Sequence, residues 1–153
     1  SWSFEDRLTV QYQIQEMLRI ERIFERAGIQ EELDAYNPLI PDGHNWKATC
    51  LIEYDDERER HMKLAELKNI EHQIWTQVEG QSRVLAIADE DMDRSNEQKT
   101  SAVHFLRFEL ESAMITALRG GASLQFGVDH VQYRHALTAP ENVRAALLGD
   151  LRV

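Results

Sequence analysis

The 153-residue sequence predicts an α+β fold, a mixed or antiparallel sheet with a long N-terminal helix packed on it. Three observations carry that prediction. Residues 7–27 run without a glycine or proline. Residues 101–110 alternate apolar and polar side chains with the period of a strand. Two pairs of short strand-like segments, 73–78 with 83–88 and 124–128 with 133–137, are each joined by a short connection, as in hairpins.

In chain order, Ser3-Phe4-Glu5-Asp6 has the spacing of a capping box and opens the long helix, which Gly28 ends. A shorter helix spans 30–36. Asn37-Pro38-Leu39-Ile40-Pro41-Asp42-Gly43 then forces an extended loop and a turn. Residues 47–54 alternate as a strand, and 55–69 form a charged amphipathic helix with Met62, Leu64, Ala65 and Leu67 near its buried stripe. Glu79-Gly80-Gln81-Ser82 turns the first hairpin, and 89–100 is a polar connection. After the strand at 101–110, a short helix over 111–119 stops at Gly120-Gly121. The second hairpin leads to Thr138-Ala139-Pro140-Glu141, a capping box that opens the last helix. The middle therefore reads β-α-β-β twice, a pattern that admits a duplicated unit.

Composition bounds the function. Apolar residues make up 42% and charged residues 29%, which excludes a disordered chain, and the length fits a single domain over 1–153. A lone cysteine, Cys50, can form no internal disulfide, CxxC redox pair or cysteine-based cluster site, and reads as a small core residue. No apolar run approaches the ~20 residues of a membrane span, and no signal peptide is visible, so the expected location is cytoplasmic, with no membrane partner. The net charge of −10 opposes phosphate backbones, so no nucleic-acid partner is expected. Residues 1–100 hold 22 acids against 12 bases, whereas 101–153 hold five of each, which gives the first part an acidic face.

Several polar residues stand where a plain scaffold would not put them. On a helical wheel Tyr12, Ile20, Ile23, Phe24 and Ala27 form an apolar face, and Glu16 falls inside it with Gln13 beside the same stripe. A buried carboxylate needs a cation, a metal, donors or a proton. Glu16 is therefore either half of a structural ion pair with Arg107 or a functional carboxylate at a pocket floor. On the strand at 101–110, His104 shares a face with Ala102, Leu106 and Phe108, while Arg107 and Glu109 lie opposite with Val103 and Phe105. That polar pair is a buried network or a site wall, and His104 is a hydrogen-bonded core histidine or a ligand. Asp42-Gly43-His44-Asn45 and Asp129-His130 each set a carboxylate beside an imidazole, which suits metal ligation or general base work but also ordinary turns. Asp89-Glu90-Asp91-Met92-Asp93 resembles the start of a calcium loop, but it lacks the glycine after Asp93 and a glutamate at position 100. The sequence holds no Glu-x-x-His for a helical di-iron site, no P-loop, no HExxH and no GxSxG elbow.

Segments spanning nearly the whole chain resemble a bacterial family of unknown function. They include Phe4-Glu5-Asp6-Arg7-Leu8, Gln13 to Arg19, Glu31 to Gly43, Ala86 to Asp91, Lys99 to Glu109 and Gly127-Val128-Asp129-His130. Genes of that family often neighbour those for rubrerythrin-like and iron-sulfur heterodisulfide-reductase-like proteins, and its members usually carry an upstream N-terminal segment. The resemblance implies a role in redox or peroxide metabolism near iron proteins. It also places Gln13, Glu16, Asp42, His104, Arg107, Glu109, Asp129 and His130 inside the matching segments.

The leading expectation is an accessory or binding protein of an iron-dependent redox system, with a polar pocket lined by Glu16, Arg107 and Glu109 and with Gln13, Asp42 and Asp129 as binding residues. Its expected partner is an iron-sulfur or rubrerythrin-like protein. The alternatives are a metal-dependent or acid–base enzyme acting on a small anionic substrate, and a structural subunit of a larger complex. If a divalent metal binds, Glu16, His104, Glu109 and His130 are the candidate ligands.

Overall fold

A computed structural model describes residues 1–90 and 99–152. The predicted polar connection, and the Asp91 to Asp93 part of the calcium-like run, lie largely or wholly outside the described residues. The described residues form two antiparallel four-stranded sheets and five α-helices. In sheet A, β1 (Trp2–Glu5), β2 (Asn45–Leu51), β6 (Val103–Glu109) and β5 (Ile87–Ala88) lie side by side in that order. In sheet B the order is β4 (Val84–Leu85), β3 (Ile74–Val78), β7 (Leu124–His130) and β8 (Tyr133–Thr138). The hairpin of β7 with β8 forms as expected, whereas of the segment 83–88 only Val84–Leu85 pairs with β3 and Ile87–Ala88 joins β6 in sheet A.

The β-α-β-β runs occupy matching places. β2 and β6 are the central neighbours of sheet A, β3 and β7 those of sheet B, and β4 and β8 flank them as the two edges. The helices α3 (Glu57–Glu66) and α4 (Ser112–Arg119) make the crossings between sheets. Residues 84–88 pass almost without interruption from sheet B into sheet A, with the Ala86 N–H donating to Ile74 O (2.9 Å). The chain thus joins the two sheets at β4 and β5, and β1 and β8 are their opposite edges.

Their facing sides enclose the core. Trp46, Ala48, Leu106 and Phe108 from sheet A meet Ile74, Val78, Leu124 and Phe126 from sheet B. Trp2, Phe4, Trp46 and Phe108 gather around Phe126, with ring centroids 5.1–6.4 Å from it. The last helix, α5 (Glu141–Gly149), is tied on by Trp46, whose indole N–H donates to Leu147 O (2.9 Å). Buried Arg144 of α5 donates to Ala122 O (2.7 Å) and to Leu118 O, so a cation satisfies carbonyls at the C-terminal end of α4.

The N-terminal region departs from expectation in three ways. Trp2-Ser3-Phe4-Glu5 is a strand, with Trp2 and Phe4 in the aromatic core, and the capping box lies three residues later between Asp6 and Thr9. The long helix expected over 7–27 ends early, as α1 (Arg7–Ile20), and the shorter helix expected over 30–36 begins earlier, as α2 (Arg26–Tyr36). α1 ends in a Schellman motif: Ile23 N–H donates to Leu18 O (2.9 Å), Arg22 N–H to Arg19 O (3.4 Å), and Arg22 takes the left-handed φ of 52° usually given to glycine. Gly28 lies inside α2, where a Cβ would meet Ile23 Cγ2 at 2.6 Å, so it permits close packing rather than stopping the helix.

Candidate functional site

The odd-numbered residues of β2 and β6 face away from the core, and the ladder sets them in rows: Asn45 opposite Glu109, Lys47 opposite Arg107, Thr49 opposite Phe105. Glu5 of β1 extends the middle row beside Lys47. This outer face is where polar side chains collect. Helix α1 covers its β1 end, and α2 with the 3-10 turn Asn37–Leu39 stands over its centre.

Under α2 lies a cleft of about 610 Å³. Tyr36, Leu39, Phe105 and Leu106 supply apolar walls, and Glu32, Asp34, Glu90, Lys47 and Arg107 supply charge. Arg107 is the hub. Its Nε and Nη2 donate to the two oxygens of Glu90 (2.9 and 2.8 Å), and its Nη1 donates to Glu109 Oε1. The two carboxylates raise the guanidinium further above its ordinary value, and in turn the hydrogen bond from Arg107 holds Glu90 below the usual carboxylate range. Burial alone would raise Glu109, but hydrogen bonds from Asn45, Arg107 and His44 outweigh it and leave the carboxyl below its ordinary value. The Lys47 ammonium donates to Pro38 O.

Asn45, fully buried, links this cluster to the preceding turn. Its amide donates to Glu109 Oε1 (2.9 Å) and Asp42 Oδ2 (3.1 Å), and its Oδ1 accepts from the Asp42 N–H (2.9 Å). Gly43 provides the φ of 100° that this turn requires. His44 Nδ1 lies 2.9 Å from Glu109 Oε2. Arg107, Glu109, Asp42 and His44 therefore form one connected cluster.

Glu16 is not part of it. The carboxylate accepts from Arg19 Nη2 (2.7 Å) one turn along α1, and that bond lowers its proton affinity. A helix unbroken to Ala27 would put the apolar face on the other side, but residues 21–25 lie outside α1, and Arg26 and Ala27 belong to α2. Val10 and Ile14 are the buried residues of α1, whereas Leu8 (74%), Tyr12 (62%), Ile20 (62%) and the following Phe24 (83%) are exposed. The carboxylate buried beneath α1 is Glu5. It accepts from Thr9 Oγ1 (2.7 Å), Gln13 Nε2 (2.9 Å) and Thr49 Oγ1 (3.0 Å), so neutral donors replace the expected arginine. Gln13 is thus a support for Glu5.

The other candidates lie elsewhere. His104, fully buried on the inner face of β6, has Nδ1 2.7 Å from Asp89 Oδ2 and Nε2 2.7 Å from Thr100 Oγ1, and that hydroxyl reaches Glu71 Oε2 (3.1 Å). His130 has Nε2 2.7 Å from Lys68 O and Nδ1 accepting from the Gln132 N–H (3.0 Å). A carbonyl can only accept, so Nε2 donates to Lys68 O, and both ring nitrogens of His130 are held by backbone groups. Asp129 lies on the outer face of sheet B, 3.1 Å from Arg134 and 4.0 Å from Arg83. The four candidate metal ligands are not brought together, and among the described residues no group of three or more His, Cys, Asp or Glu side chains is placed to hold a metal ion. Cys50 is buried on the inner face of β2, and burial pushes its thiol up.

A family model described as a protein of unknown function, DUF3501, matches residues 1–151. A crystal structure of a novel protein of unknown function from Burkholderia pseudomallei is 52% identical, with a TM-score of 0.92, and the match covers 99% of this chain and 79% of that one. Among curated proteins nothing matches.

Proposed function

Because the chain belongs to the DUF3501 family, whose description assigns no activity, we propose from the site itself that it is an accessory docking protein, presenting the α1–α2 arm and the acidic cleft beneath it to a protein partner. The observation that carries this reading is the exposure of four large apolar side chains, Leu8, Tyr12 and Ile20 of α1 and Phe24 just after it. Side chains of this size each gain about 1.5–3 kcal/mol on full burial, so leaving four of them exposed on one arm supports an interaction surface there. Glu31, Glu32 and Asp34 on α2 add negative charge to the arm and favour a partner with basic residues. The gene neighbours implied by the resemblance make an iron-sulfur or rubrerythrin-like protein the first partner to test.

An acid–base enzyme that holds an anionic substrate through Arg107 has less support. The guanidinium is already occupied by Glu90 and Glu109, so an incoming anion would have to displace both. His104 has no exposed surface with which to touch a substrate.

The test is calorimetric titration of the chain with purified rubrerythrin-like and iron-sulfur proteins. Binding that weakens with added salt and is lost in Phe24→Asp and Tyr12→Asp, both with unchanged circular dichroism, is the expected result. Binding that survives both substitutions, or no binding to either protein class, would sink the proposal.

A further inference from the structure

Independently of the α1–α2 arm, we propose that β8 is a self-association edge, along which two copies of this chain pair antiparallel about a two-fold axis at Ala136. β8 is the outermost strand of sheet B, at the edge opposite β4. All six residues of β8 are exposed, including Tyr133 (49%) and Leu137 (51%). Native edge strands are usually blunted by proline, lysine, an inward charge or a bulge. Tyr133-Arg134-His135-Ala136-Leu137-Thr138 has no proline or lysine, and its register with β7 is unbroken.

The hydrogen-bond phase of the ladder shows which groups are offered. Ala139 N–H donates to Leu124 O (2.8 Å), and His130 pairs with Tyr133 across the two-residue turn. Bonded and non-bonded pairs alternate in an antiparallel ladder. Tyr133, His135 and Leu137 therefore turn their N–H and C=O groups toward β7, and Arg134, Ala136 and Thr138 turn theirs outward. Antiparallel pairing centred on Ala136 sets Arg134 opposite Thr138 of the partner subunit and Ala136 opposite Ala136 of the partner subunit. Every outward group then finds its complement, with Ala136 and Ala136 of the partner subunit as a hydrogen-bonded pair on the axis. On the other face His135 meets Leu137 of the partner subunit, continuing the apolar wall that Tyr133, His135 and Leu137 form with Trp2 and Phe126 beside a cavity of about 350 Å³.

Charge selects the same occupant. The chain carries −10, and two copies repel wherever their carboxylates meet. No acid occurs between Asp129 and Glu141, and the strand itself carries Arg134, so here two acidic chains approach without carboxylates facing each other. The arrangement is isologous and closed, as most homodimers are.

Sedimentation velocity on the wild-type chain should show a species of twice 17.8 kDa that dissociates on dilution. Ala136→Pro removes an outward N–H and no bond to β7, so it should sediment as a folded monomer. Under oxidation Ala136→Cys should give a covalent dimer and Thr138→Cys should not, because only position 136 faces itself across the axis; Cys50 is buried. A wild-type chain that stays at 17.8 kDa at every concentration overturns the proposal, as does a dimer that survives Ala136→Pro or cross-links equally at both positions.

Discussion

Asn45→Asp tests the logic of the polar cluster with an isosteric change. The substitution alters no volume, yet it replaces an amide that donates to Asp42 and Glu109 with a carboxylate that can only repel them. The side chain has no exposed surface, and both acceptors sit within 3.1 Å of it. Breaking a buried charged interaction and leaving like charges together costs about 3–5 kcal/mol. For a domain of this size that is a fall in melting temperature of roughly 6–20 °C at neutral pH. The pH dependence separates this account from loss of packing. Burial and two carboxylate neighbours would hold the new carboxyl above its ordinary value of about 3.9, so the penalty is full above that raised value and shrinks as pH falls through it. Thermal melts of the variant and wild type by circular dichroism, compared from about pH 7 downward, should therefore converge. A variant that melts with the wild type at neutral pH, or a gap that widens on acidification, would refute the reasoning.

Two further predictions concern the sheets. Gly127→Ala would place a methyl group into the indole of Trp75 and 2.8 Å from His135 O, both held in place, since Trp75 is buried and stacked under the Arg83 guanidinium at 4.0 Å. We expect a loss of about 1–3 kcal/mol in urea unfolding, relieved when Trp75 is also changed to leucine; additive effects of the two changes would remove the steric explanation. In the wild type, Glu90 and Glu109 both titrate below the ordinary carboxylate range when folded, so their contribution is complete above the unfolded values and is lost as pH falls through the folded ones. Acid should therefore lower the urea midpoint more steeply in the wild type than in Arg107→Met, and parallel curves would show that Arg107 does not set those values.

The legible parts of the fold were those with local signals. Period-two alternation over 101–110 correctly assigned Arg107 and Glu109 to one face of a strand and His104 to the other, because that period follows from the backbone alone. The β7–β8 hairpin was readable for the same reason, but the move of Ile87–Ala88 into sheet A was not, because a period of two does not name the partner strand. The break after Ile20 was not, because the left-handed residue that ends α1 is Arg22 rather than a glycine. Once residues 21–27 were included in one helix, the apolar face rotated toward solvent and Glu16 moved with it into an imagined core. Trp2-Ser3-Phe4-Glu5 carried the alternation of a strand but also the spacing of a cap, and only the partner strand β2 decides between them.

The buried carboxylates show why a site of this kind resists reading from sequence. Glu5 and Glu71 are both buried, and neither lies in a segment whose pattern marks it as buried. Glu5 is satisfied by hydroxyl and amide donors from α1 and β2, groups 4, 8 and 44 positions away. Glu71 receives the Thr100 hydroxyl from 29 positions away, and through it joins His104 and Asp89, whose second oxygen accepts the Phe105 N–H (2.9 Å). A wheel or an alternation pattern identifies which face a residue occupies, and these donors arrive from other elements that no local period encodes. The same argument separates the two roles of polar residues on β6. His104, on the inner face, meets groups that close around both ring nitrogens and becomes part of the scaffold, whereas Arg107 and Glu109, on the outer face, remain beside an open cleft. The function of this chain is therefore to be sought on the outer face of sheet A and the arm above it, with the histidine network as the support that keeps β6 in place.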